Sequence, residues 1–543
     1  MPRCVDVVAR TLAEAGITRM FGLPGGEILD LIEAARRIGI EFVLTRHEAA
    51  ASFMADVTGQ IQRRPGVCVS TLGPGAVNMT LGVANAYLDR SPVLAITATL
   101  ARSAAPFTTH QHLDLEALYR PITKLSVTLD GQDTAAKVRR AWRCAVEPRM
   151  GPVHIAIPSD VARAEDREVR APESIALDPP AVPAPPPDAI RTLAAEIRGA
   201  RRPVVILGLD LDPATAPGPV RAFVEHLGAP VFVTPKAKGI LPEDHPLFFG
   251  VCAGVSADPV IVDSFGRADL LVGIGFDPVE SDKLWHQTMK LVSLAPVTIA
   301  AGAYRPHAEA VGDIARGLEA LSATPFEAFE WQDDRLAAFR ERMRQALCPH
   351  RTPGARLSPT LVTERLRELL PRDTILTTDV GAVKFVVSQV WRAFEPLTFF
   401  ESNGLSSMSY GFPAAMAARL LFPGRPVVCT IGDGGLGMTM AEIETCVRHG
   451  IHFVTIVYND DGLSLIRVVQ ENRGYVDYGV GYRPVDFAAV ARAHGAWGRR
   501  VASLDDLTDA VREAIGRDCP SVIDVPIDPA EYRAHLAPAR AAG

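Results

Sequence analysis

The 543-residue sequence contains no long apolar run and no closely spaced pair of cysteines. No stretch approaches the ~18 consecutive apolar residues that a membrane-spanning helix requires. Residues 1–16 have the spacing of an amphipathic helix rather than the composition of a signal peptide. The eight cysteines are scattered, which argues against a disulfide scaffold and against a zinc site. We therefore expect a cytoplasmic protein that does not act at a membrane.

Lysine is also scarce, because it supplies only 7 of the 56 basic residues, and no block of basic residues occurs. The 63 acidic residues give a net charge of −7 and a pI of about 6.0. A mildly acidic protein without a basic patch has no electrostatic basis for binding nucleic acid. We therefore expect no nucleic-acid partner.

Short Val- and Ile-rich runs alternate with helical patterns along the whole chain. This alternation predicts an α/β fold with three doubly wound parallel-sheet domains. A proline-rich stretch and a turn-rich stretch at residues 348–359 separate the three units. The predicted boundaries are residues 1–170, a linker at 171–188, a central domain at 189–345 and a third domain at 355–535. The strand candidates include residues 41–45, 66–71, 93–97, 153–157, 204–208, 231–234, 270–274, 375–378, 427–431, 453–458 and 521–525.

The most informative segment is residues 426–467. In it, one buried strand ends in the sequence GDGG, a helix is predicted to follow as far as His449 with Gly450 as its stop, and a second buried strand ends in NDDG. Because parallel strands present their carboxyl ends at one edge of a sheet, Asp433 and Asp460 are expected to lie close together. Two carboxylates beside glycine N–H groups suit a divalent cation that bridges to a diphosphate.

Two other interpretations of this segment remain open. Gly432, Gly434 and Gly437 also form the G-x-G-x-x-G pattern of dinucleotide-binding folds. Asp433 argues against that interpretation, because a carboxylate within the glycine run repels a pyrophosphate unless a metal ion intervenes. Alternatively, the segment is a glycine-rich turn whose acidic residues are solvated.

The segment contains G-D-G, then 24 residues (435–458), then N-D. This pattern resembles the diphosphate motif of thiamine diphosphate enzymes, and the resemblance extends over essentially the whole chain. Among these enzymes the sequence is most similar to acetolactate synthases. The resemblance implies pyrimidine-binding, central and diphosphate-binding domains in that order, with thiamine diphosphate and Mg²⁺ as cofactors. It assigns Mg²⁺ to the side chains of Asp433 and Asp460, where many relatives have Asn, and to the Gly462 carbonyl. The implied cofactor-binding residues are Pro24, Gly25, Gly381, Ser406, Met408, Gly432, Asp433, Gly434, Gly435, Asp460 and Gly462.

Glu48 lies at a predicted strand-to-helix junction, in the sequence TRHEAAASF. From the sequence alone it is an acid in the first turn of a helix, where the helix dipole favours it. By resemblance it is the catalytic glutamate that hydrogen-bonds N1′ of the aminopyrimidine in a pocket without water. By the same resemblance, the Ser406 carbonyl meets the 4′-amine and Met408 holds the cofactor in a bent conformation. Ser406 and Ser409 replace family glycines, so the backbone there has less freedom.

The candidate substrate residues lie in the sequence TTHQHLDLEAL. Gln111 matches the active-site glutamine of acetolactate synthases, and the run T-H-Q-x-L-D is also similar to carboxyethylarginine synthase. His110 or His112 could transfer a proton, because imidazole titrates near neutral pH, although at least one of them could be a solvated loop residue.

Two departures from the biosynthetic acetohydroxyacid synthases concern the cofactor FAD and the acceptor. Residues 273–279 read GIGFDPV, so two arginines that help to hold FAD and the second substrate in those enzymes are missing. Val469 stands where those enzymes have a tryptophan that selects a larger acceptor. We therefore expect an enzyme without FAD, and we do not assume 2-oxobutyrate as the acceptor.

The resemblance thus implies an enzyme that decarboxylates a 2-oxo acid such as pyruvate and passes the enamine to an acceptor. It also implies a homodimer or homotetramer, because the family builds each active site at a subunit interface. The alternatives are a decarboxylase that does not ligate, a specialised enzyme similar to carboxyethylarginine synthase, a catalytically silent homologue and, from another class, an NAD(P)-binding oxidoreductase.

Overall fold

The computed structural model describes residues 1–168, 176–252, 256–280, 289–299, 305–331, 333–348 and 356–540. These residues form three six-stranded sheets, and neighbouring strands in each sheet are parallel. Helices connect most successive strands, so the predicted α/β fold with three parallel sheets is confirmed. Part of the predicted linker, residues 171–175, and part of the second boundary, residues 349–355, lie outside the described residues.

The first sheet comprises β1 (Arg19–Leu23), β2 (Glu41–Leu44), β3 (Gly66–Ser70), β4 (Val93–Thr99), β5 (Leu125–Thr128) and β6 (Val153–Pro158). Its strand order is β2-β1-β3-β4-β6-β5. Its helices are α1 (Cys4–Glu14), α2 (Leu29–Arg37), α3 (Glu48–Gln62), α4 (Pro74–Leu88), α5 (Leu115–Tyr119), α6 (Thr134–Val146) and α7 (Ser159–Arg163). Apolar side chains at helical spacing, such as Val5, Val8 and Leu12 on α1, form the core with Val67, Val69 and the other buried strand residues.

The second sheet comprises β7 (Pro203–Leu207), β8 (Val231–Val233), β9 (Phe248–Val251), β10 (Leu270–Ile274), β11 (Leu291–Ala295) and β12 (Ala308–Val311), in the order β12-β11-β10-β7-β8-β9. Its helices are α8 (Pro187–Gly199), α9 (Pro217–Leu227), α10 (Asp258–Phe265), α11 (Ile314–Ser322) and α12 (Asp333–Ala346). Buried apolar residues of both faces form two clusters, as expected of a sheet covered by helices on both sides.

The third sheet comprises β13 (Ile375–Thr378), β14 (Phe399–Glu401), β15 (Val427–Gly432), β16 (Val454–Asn459), β17 (Trp497–Arg500) and β18 (Ser521–Pro526), in the order β14-β13-β15-β16-β18-β17. Its segment of the chain contains α13 (Pro359–Leu369), α14 (Ala382–Val390), α15 (Gly411–Leu421), α16 (Asp433–Thr439), α17 (Glu442–His449), α18 (Ser464–Asn472), α19 (Phe487–Ala493), α20 (Leu504–Ile515) and α21 (Ala530–Arg540). Strands β13, β15 and β16 are neighbours, so the loops that follow them begin at one edge of the sheet.

The packing of the chain divides it into two units. The first contains the first sheet together with Gly404–Pro423 and Thr439–Ile451, which carry α15 and α17. Within it, α3 packs on α15, and the rings of Phe53 and Tyr410 lie 5.5 Å apart. The second unit contains the second and third sheets.

Two local predictions are wrong. The helix predicted to run to His449 is two helices, because the chain turns at residues 440–441, between α16 and α17. The predicted linker includes Pro187 and Asp188, but α8 already begins at Pro187. Proline is well tolerated at the first position of a helix, where its missing N–H would have had no helical partner.

A buried ion pair stabilises the second unit. The Lys238 Nζ lies 2.8 Å from Glu243 Oε1 and donates to the backbone carbonyls of Ser388 at 3.0 Å and Trp391 at 2.9 Å. The side chains of Lys238 and Glu243 are almost fully buried. The lysine therefore joins the loop after β8 to the end of α14 through charge-assisted hydrogen bonds.

Lys238→Met is expected to lower the free energy of unfolding of this unit by about 3–5 kcal/mol, because it leaves the Glu243 carboxylate buried without its counter-charge. Urea unfolding followed by tryptophan fluorescence measures the shift. The control is Lys290→Met, which removes a partly exposed pair with Glu196 and is expected to cost less than about 1 kcal/mol. Equal midpoints for the two variants would contradict the role of the buried pair.

Candidate functional site

The loops after β15 and β16 bring the two predicted acidic residues to one place. Asp433 begins α16, and its Oδ1 accepts a hydrogen bond from the Gly434 N–H at 2.8 Å. Its Oδ2 accepts from the Gly462 N–H at 3.0 Å, across the two loops. Asp460 follows β16 directly. The expected juxtaposition of the two loops is therefore present, and the Asp433 carboxylate links them.

This pair of carboxylates is buried. Asp433 is 7% exposed and Asp460 is 9% exposed. Burial and, to a smaller extent, the nearby charge of Asp460 together raise the pKa of Asp433 to about 7. Burial also raises the pKa of Asp460 to about 6. The Oδ1 atom of Asp460 accepts no hydrogen bond from the part of the chain that the structure describes. Two buried acids with an unsatisfied oxygen fit a bound divalent cation, which would neutralise both of them.

Glycine is required beside these acids. A Cβ atom at Gly435 would lie 1.9 Å from Oδ2 of the buried Asp379, so a side chain cannot be placed there without moving backbone or the carboxylate. Gly381 precedes α14 with a φ of +129°, a conformation that L-residues rarely adopt. Glycine therefore permits the close packing of Gly435 on Asp379 and the backbone conformation of Gly381 at the ends of β15 and β13.

The predicted metal site would use few side chains. Among the described residues, no cluster of three or more His, Cys, Asp or Glu side chains is arranged to hold a metal ion. A site of two carboxylates and one backbone carbonyl, as predicted for Asp433, Asp460 and Gly462, is compatible with that result. Mg²⁺ commonly binds through one or two carboxylates and takes its other ligands from phosphate and water.

Glu48 is the first residue of α3 and is 4% exposed. Its Oε2 accepts a hydrogen bond from Asn78 Nδ2 at 3.0 Å. A Cβ atom at Gly75 would lie only 3.0 Å from its Oε1, so the glycine leaves that oxygen room. The structure therefore places Glu48 in a pocket shielded from water, which is what a proton-transferring carboxylate needs.

The turn after β1 contains Pro24, which is exposed, and Gly25, which is partly buried. A Cβ at Gly25 would lie 2.5 Å from the Oγ1 of Thr71, and this hydroxyl donates to Glu27 Oε2 at 2.8 Å. Sequence analysis did not identify Glu27 or Thr71, because the contact joins residues 44 apart in the chain with no motif that links them.

Two of the three candidate substrate residues line a cavity of about 420 Å³. Gln111 and His112 line it together with Asn78, the hydrogen-bond partner of Glu48. Gln111 has a φ of +56°. The ring of His112 contacts the Thr108 carbonyl at 3.1 Å. His110 is exposed, and it is not among the described residues that line the cavity. The lining residues are Gly73, Pro74, Val77, Asn78, Thr109, Gln111, His112 and Leu113.

The loop that carries Ser406 and Met408 follows β14, and Met408 is half-buried. Ser406 and Ser409 have φ values of +54° and +72°, so both serines adopt the left-handed conformation that glycine adopts most readily. The loss of two glycines in this loop therefore does not prevent the glycine-type backbone conformation.

No helix among the described residues is long and apolar enough to span a membrane. The eight cysteines form no disulfide in the structure.

Comparison with protein families gives three matches along the chain. Residues 2–118 match the N-terminal TPP binding domain of thiamine pyrophosphate enzymes, residues 190–321 match the central domain, and residues 379–525 match the C-terminal TPP binding domain. Thiamine pyrophosphate and thiamine diphosphate are the same compound. The C-terminal match covers the segment with the glycine run, and it argues against the NAD(P) interpretation.

Curated relatives match over nearly the full length. The sequence is 32% identical to an acetolactate synthase of Bacillus subtilis over 97% of this chain and 93% of the relative. It is 29% identical to a catabolic acetolactate synthase of Raoultella terrigena over 96% of this chain and 94% of the relative. It is 31% identical to a protein named probable 2-ketoarginine decarboxylase, from Pseudomonas aeruginosa, over 96% of this chain and 93% of the relative.

Proposed function

The chain belongs to the thiamine pyrophosphate enzymes and is related to the acetolactate synthases, and on that basis we propose that it is a Mg²⁺-dependent carboligase that decarboxylates a pyruvate-type 2-oxo acid and transfers the remaining acyl unit to an acceptor. The observation that carries the proposal is the combination of a buried Glu48 with a buried pair of acids, Asp433 and Asp460. Buried carboxylates lower the stability of a fold unless a bound ligand or another partner compensates for their burial.

In this proposal the side chains of Asp433 and Asp460 and the carbonyl of Gly462 hold Mg²⁺, and the glycine-rich backbone at the ends of β13 and β15 holds the diphosphate. The unsatisfied Oδ1 of Asp460 and the raised pKa of Asp433 support this assignment. Both carboxylates lose their protons when the cation binds.

The bound cofactor supplies an electron sink for the carbon that loses CO₂. Glu48 holds and returns a proton at N1′ of the aminopyrimidine, and Asn78 orients its carboxylate. The Ser406 carbonyl and the Met408 side chain position the same ring. Gln111 orients the substrate carboxylate or carbonyl, and His112, or the exposed His110, delivers a proton to the developing alkoxide.

The lining of the cavity favours a small donor without a positive charge. Its described lining residues include no Asp or Glu, whereas recognition of a guanidinium group normally uses a carboxylate. This lining supports pyruvate rather than 2-ketoarginine as the proposed donor. We also propose that FAD is not required, because residues 273–279 lack the two arginines that help to hold it in related enzymes.

A second candidate is a 2-oxo acid decarboxylase that releases its aldehyde without ligation. The likeness to the Pseudomonas aeruginosa relative favours it. A ligase with the specificity of carboxyethylarginine synthase is a third possibility at the same site.

We propose a homodimer or homotetramer in the cytoplasm, with active sites at subunit interfaces. The large apolar side chains of Phe107, Val476 and Tyr478 are each more than three-quarters exposed in the single chain. Val476 and Tyr478 are two residues apart in the chain, and clustered exposed apolar groups are typical of surfaces that another protein covers.

The test is incubation of the protein with Mg²⁺, thiamine diphosphate and a panel of 2-oxo acids, with CO₂ measured and carbon products identified by mass spectrometry. The carboligase proposal expects CO₂ and a coupled product from pyruvate. An aldehyde alone would establish the decarboxylase instead. No CO₂ from any 2-oxo acid would indicate a catalytically silent homologue.

The stabilisation by Mg²⁺ should depend on pH. Burial raises the pKa values of Asp433 and Asp460 to about 7 and 6, so without metal the folded state binds their protons more tightly than the unfolded state does. That contribution to stability is complete below about pH 4 and is lost as the pH rises through about 6 to 7. We therefore expect the gain in melting temperature on adding Mg²⁺ and thiamine diphosphate to be larger at pH 7.5 than at pH 5.5. A gain that is equal or smaller at pH 7.5 would contradict the assignment of these acids.

A further inference from the structure

The segment that immediately precedes Glu48 is held by a residue almost 400 positions later in the chain. Glu442, the first residue of α17, accepts hydrogen bonds from the backbone N–H groups of Arg46 and His47. The N–H of Arg46 lies 3.0 Å from Oε1 and 3.2 Å from Oε2, and the N–H of His47 lies 3.0 Å from Oε1. All of these residues belong to the first unit.

Glu442 is 1% exposed. Its Oε2 also accepts a hydrogen bond from the Thr445 hydroxyl at 2.7 Å. Burial raises the pKa of Glu442, while the hydroxyl and the two N–H groups oppose that effect by favouring the charged form. A buried carboxylate is costly, and here its two oxygens serve three donors, two of which belong to the backbone beside Glu48.

The contact controls where α3 starts. His47 is the N-cap residue, with an extended backbone, and its Nδ1 accepts from the N–H of Ala49. Arg46 and His47 precede the first helical residue, and the acceptor of both of their backbone N–H groups is the Glu442 carboxylate. The position of the first helical residue, Glu48, therefore depends on this acceptor.

We propose that Glu442 is a positioning residue for Glu48, holding the start of α3 so that the Glu48 carboxylate meets N1′ of the aminopyrimidine. This inference rests on the proposed function. A carboxylate suits this position better than an amide, because the NH₂ group of an amide in the place of Oε2 would face the N–H of Arg46. Small displacements matter, since a misplacement of about 1 Å can reduce a rate by about 10²-fold.

The neighbouring residue Glu444 offers a matched control. It lies on the same helix and binds the same loop, but through the side chain of Arg46, whose Nε lies 2.8 Å from Glu444 Oε2 in a partly exposed ion pair. Its loss removes a surface contact and leaves the backbone N–H groups with their acceptor. Exposed pairs of this kind contribute little.

The experiment compares Glu442→Gln, Glu442→Asp, Glu444→Gln and Glu48→Gln in the protein loaded with Mg²⁺ and thiamine diphosphate. The main measurement is the rate at which the C2 proton of the bound cofactor exchanges in D₂O, followed by NMR after acid quench. The Kd for thiamine diphosphate and the kcat and KM for pyruvate are measured in parallel. We expect Glu442→Gln to slow exchange and kcat by about 10- to 100-fold, with Kd and KM within about threefold of the wild type. Glu442→Asp should be intermediate, and Glu444→Gln within about twofold of the wild type.

Wild-type exchange in Glu442→Gln, with exchange lost in Glu48→Gln, would overturn the positioning role and leave the proposed function intact. Wild-type exchange in Glu48→Gln would instead overturn the proton-transferring role that the proposed function gives to Glu48. A parallel loss of cofactor affinity and exchange in Glu442→Gln would show general loosening of the fold and would also overturn the inference. If Glu442→Gln does not fold, Glu442→Asp tests the positioning role instead, because it keeps the charge. An exchange rate between those of the wild type and Glu48→Gln would support the role. A wild-type exchange rate would overturn it.

Discussion

Glu48→Gln is expected to reduce kcat by about 10²- to 10⁴-fold, the usual contribution of a positioned proton-transferring group. Glutamine has nearly the shape of glutamate, and its carbonyl oxygen can still accept the hydrogen bond of Asn78 Nδ2. The pocket around residue 48 should therefore remain folded, while the group can no longer exchange a proton with N1′. The measurement is turnover of pyruvate at saturating cofactor, with the Kd for thiamine diphosphate determined by fluorescence titration.

The matched control is Glu41→Gln, which alters an exposed glutamate on β2 that pairs with Arg19. Its kcat should stay within about twofold of the wild type. Full turnover of the Glu48 variant with bound thiamine diphosphate would show that another group performs the proton transfer, and the mechanism would be wrong.

Asp433→Asn is expected to weaken the binding of Mg²⁺ and thiamine diphosphate by at least about 100-fold. Loss of a residue that merely orients a metal ligand costs 10- to 100-fold in affinity, and loss of a ligand's charge costs more. The substitution also replaces one of the oxygens that accept from Gly434 and Gly462 with an NH₂ group, so the two loops lose part of their link. Isothermal titration with Mg²⁺ at fixed thiamine diphosphate measures the change.

Asp461→Asn is the control for this variant, because it changes the acid next to Asp460 without changing the predicted ligand set. Asp461 has a φ of +60°, which asparagine tolerates, and its Oδ2 pairs with the exposed Arg356 at 2.6 Å. Its cofactor affinity should stay within about threefold of the wild type. Equal losses in the two variants would argue for a general charge effect at the loop, and unchanged affinity in Asp433→Asn would remove the metal site from the proposal.

Most central strands of the three sheets could be predicted, because they are short runs of buried apolar residues between turn signals. The interior strand Leu291–Ala295, although fully buried, was not among the candidates. Residues 270–274 and 375–378 are strands with the predicted bounds. The edge strand Trp497–Arg500 was missed, since it contains two arginines and is only partly buried. An edge strand is set by hydrogen bonds to its one neighbour, here β18, and an apolar pattern of its own is not required.

The diphosphate end of the site could be predicted for a related reason. Asp433 and Asp460 each follow a recognisable strand, and neighbouring parallel strands end at one edge, so the sequence contains the geometric information. The environment of Glu48 could not be derived in this way. Its partner Asn78 is 30 residues away, and Glu442, which holds the preceding loop, is almost 400 residues away. No spacing rule connects such residues, and only the packing of α3, α4 and α17 brings them together.

The most direct test of the proposed function uses [1-¹³C]pyruvate with the purified protein, with and without Mg²⁺ and thiamine diphosphate. The proposal predicts ¹³CO₂ release that requires both cofactors, stops on addition of EDTA, and yields one coupled carbon product for each CO₂. It would be contradicted by the absence of ¹³CO₂ with both cofactors bound, or by equal release from protein stripped of both.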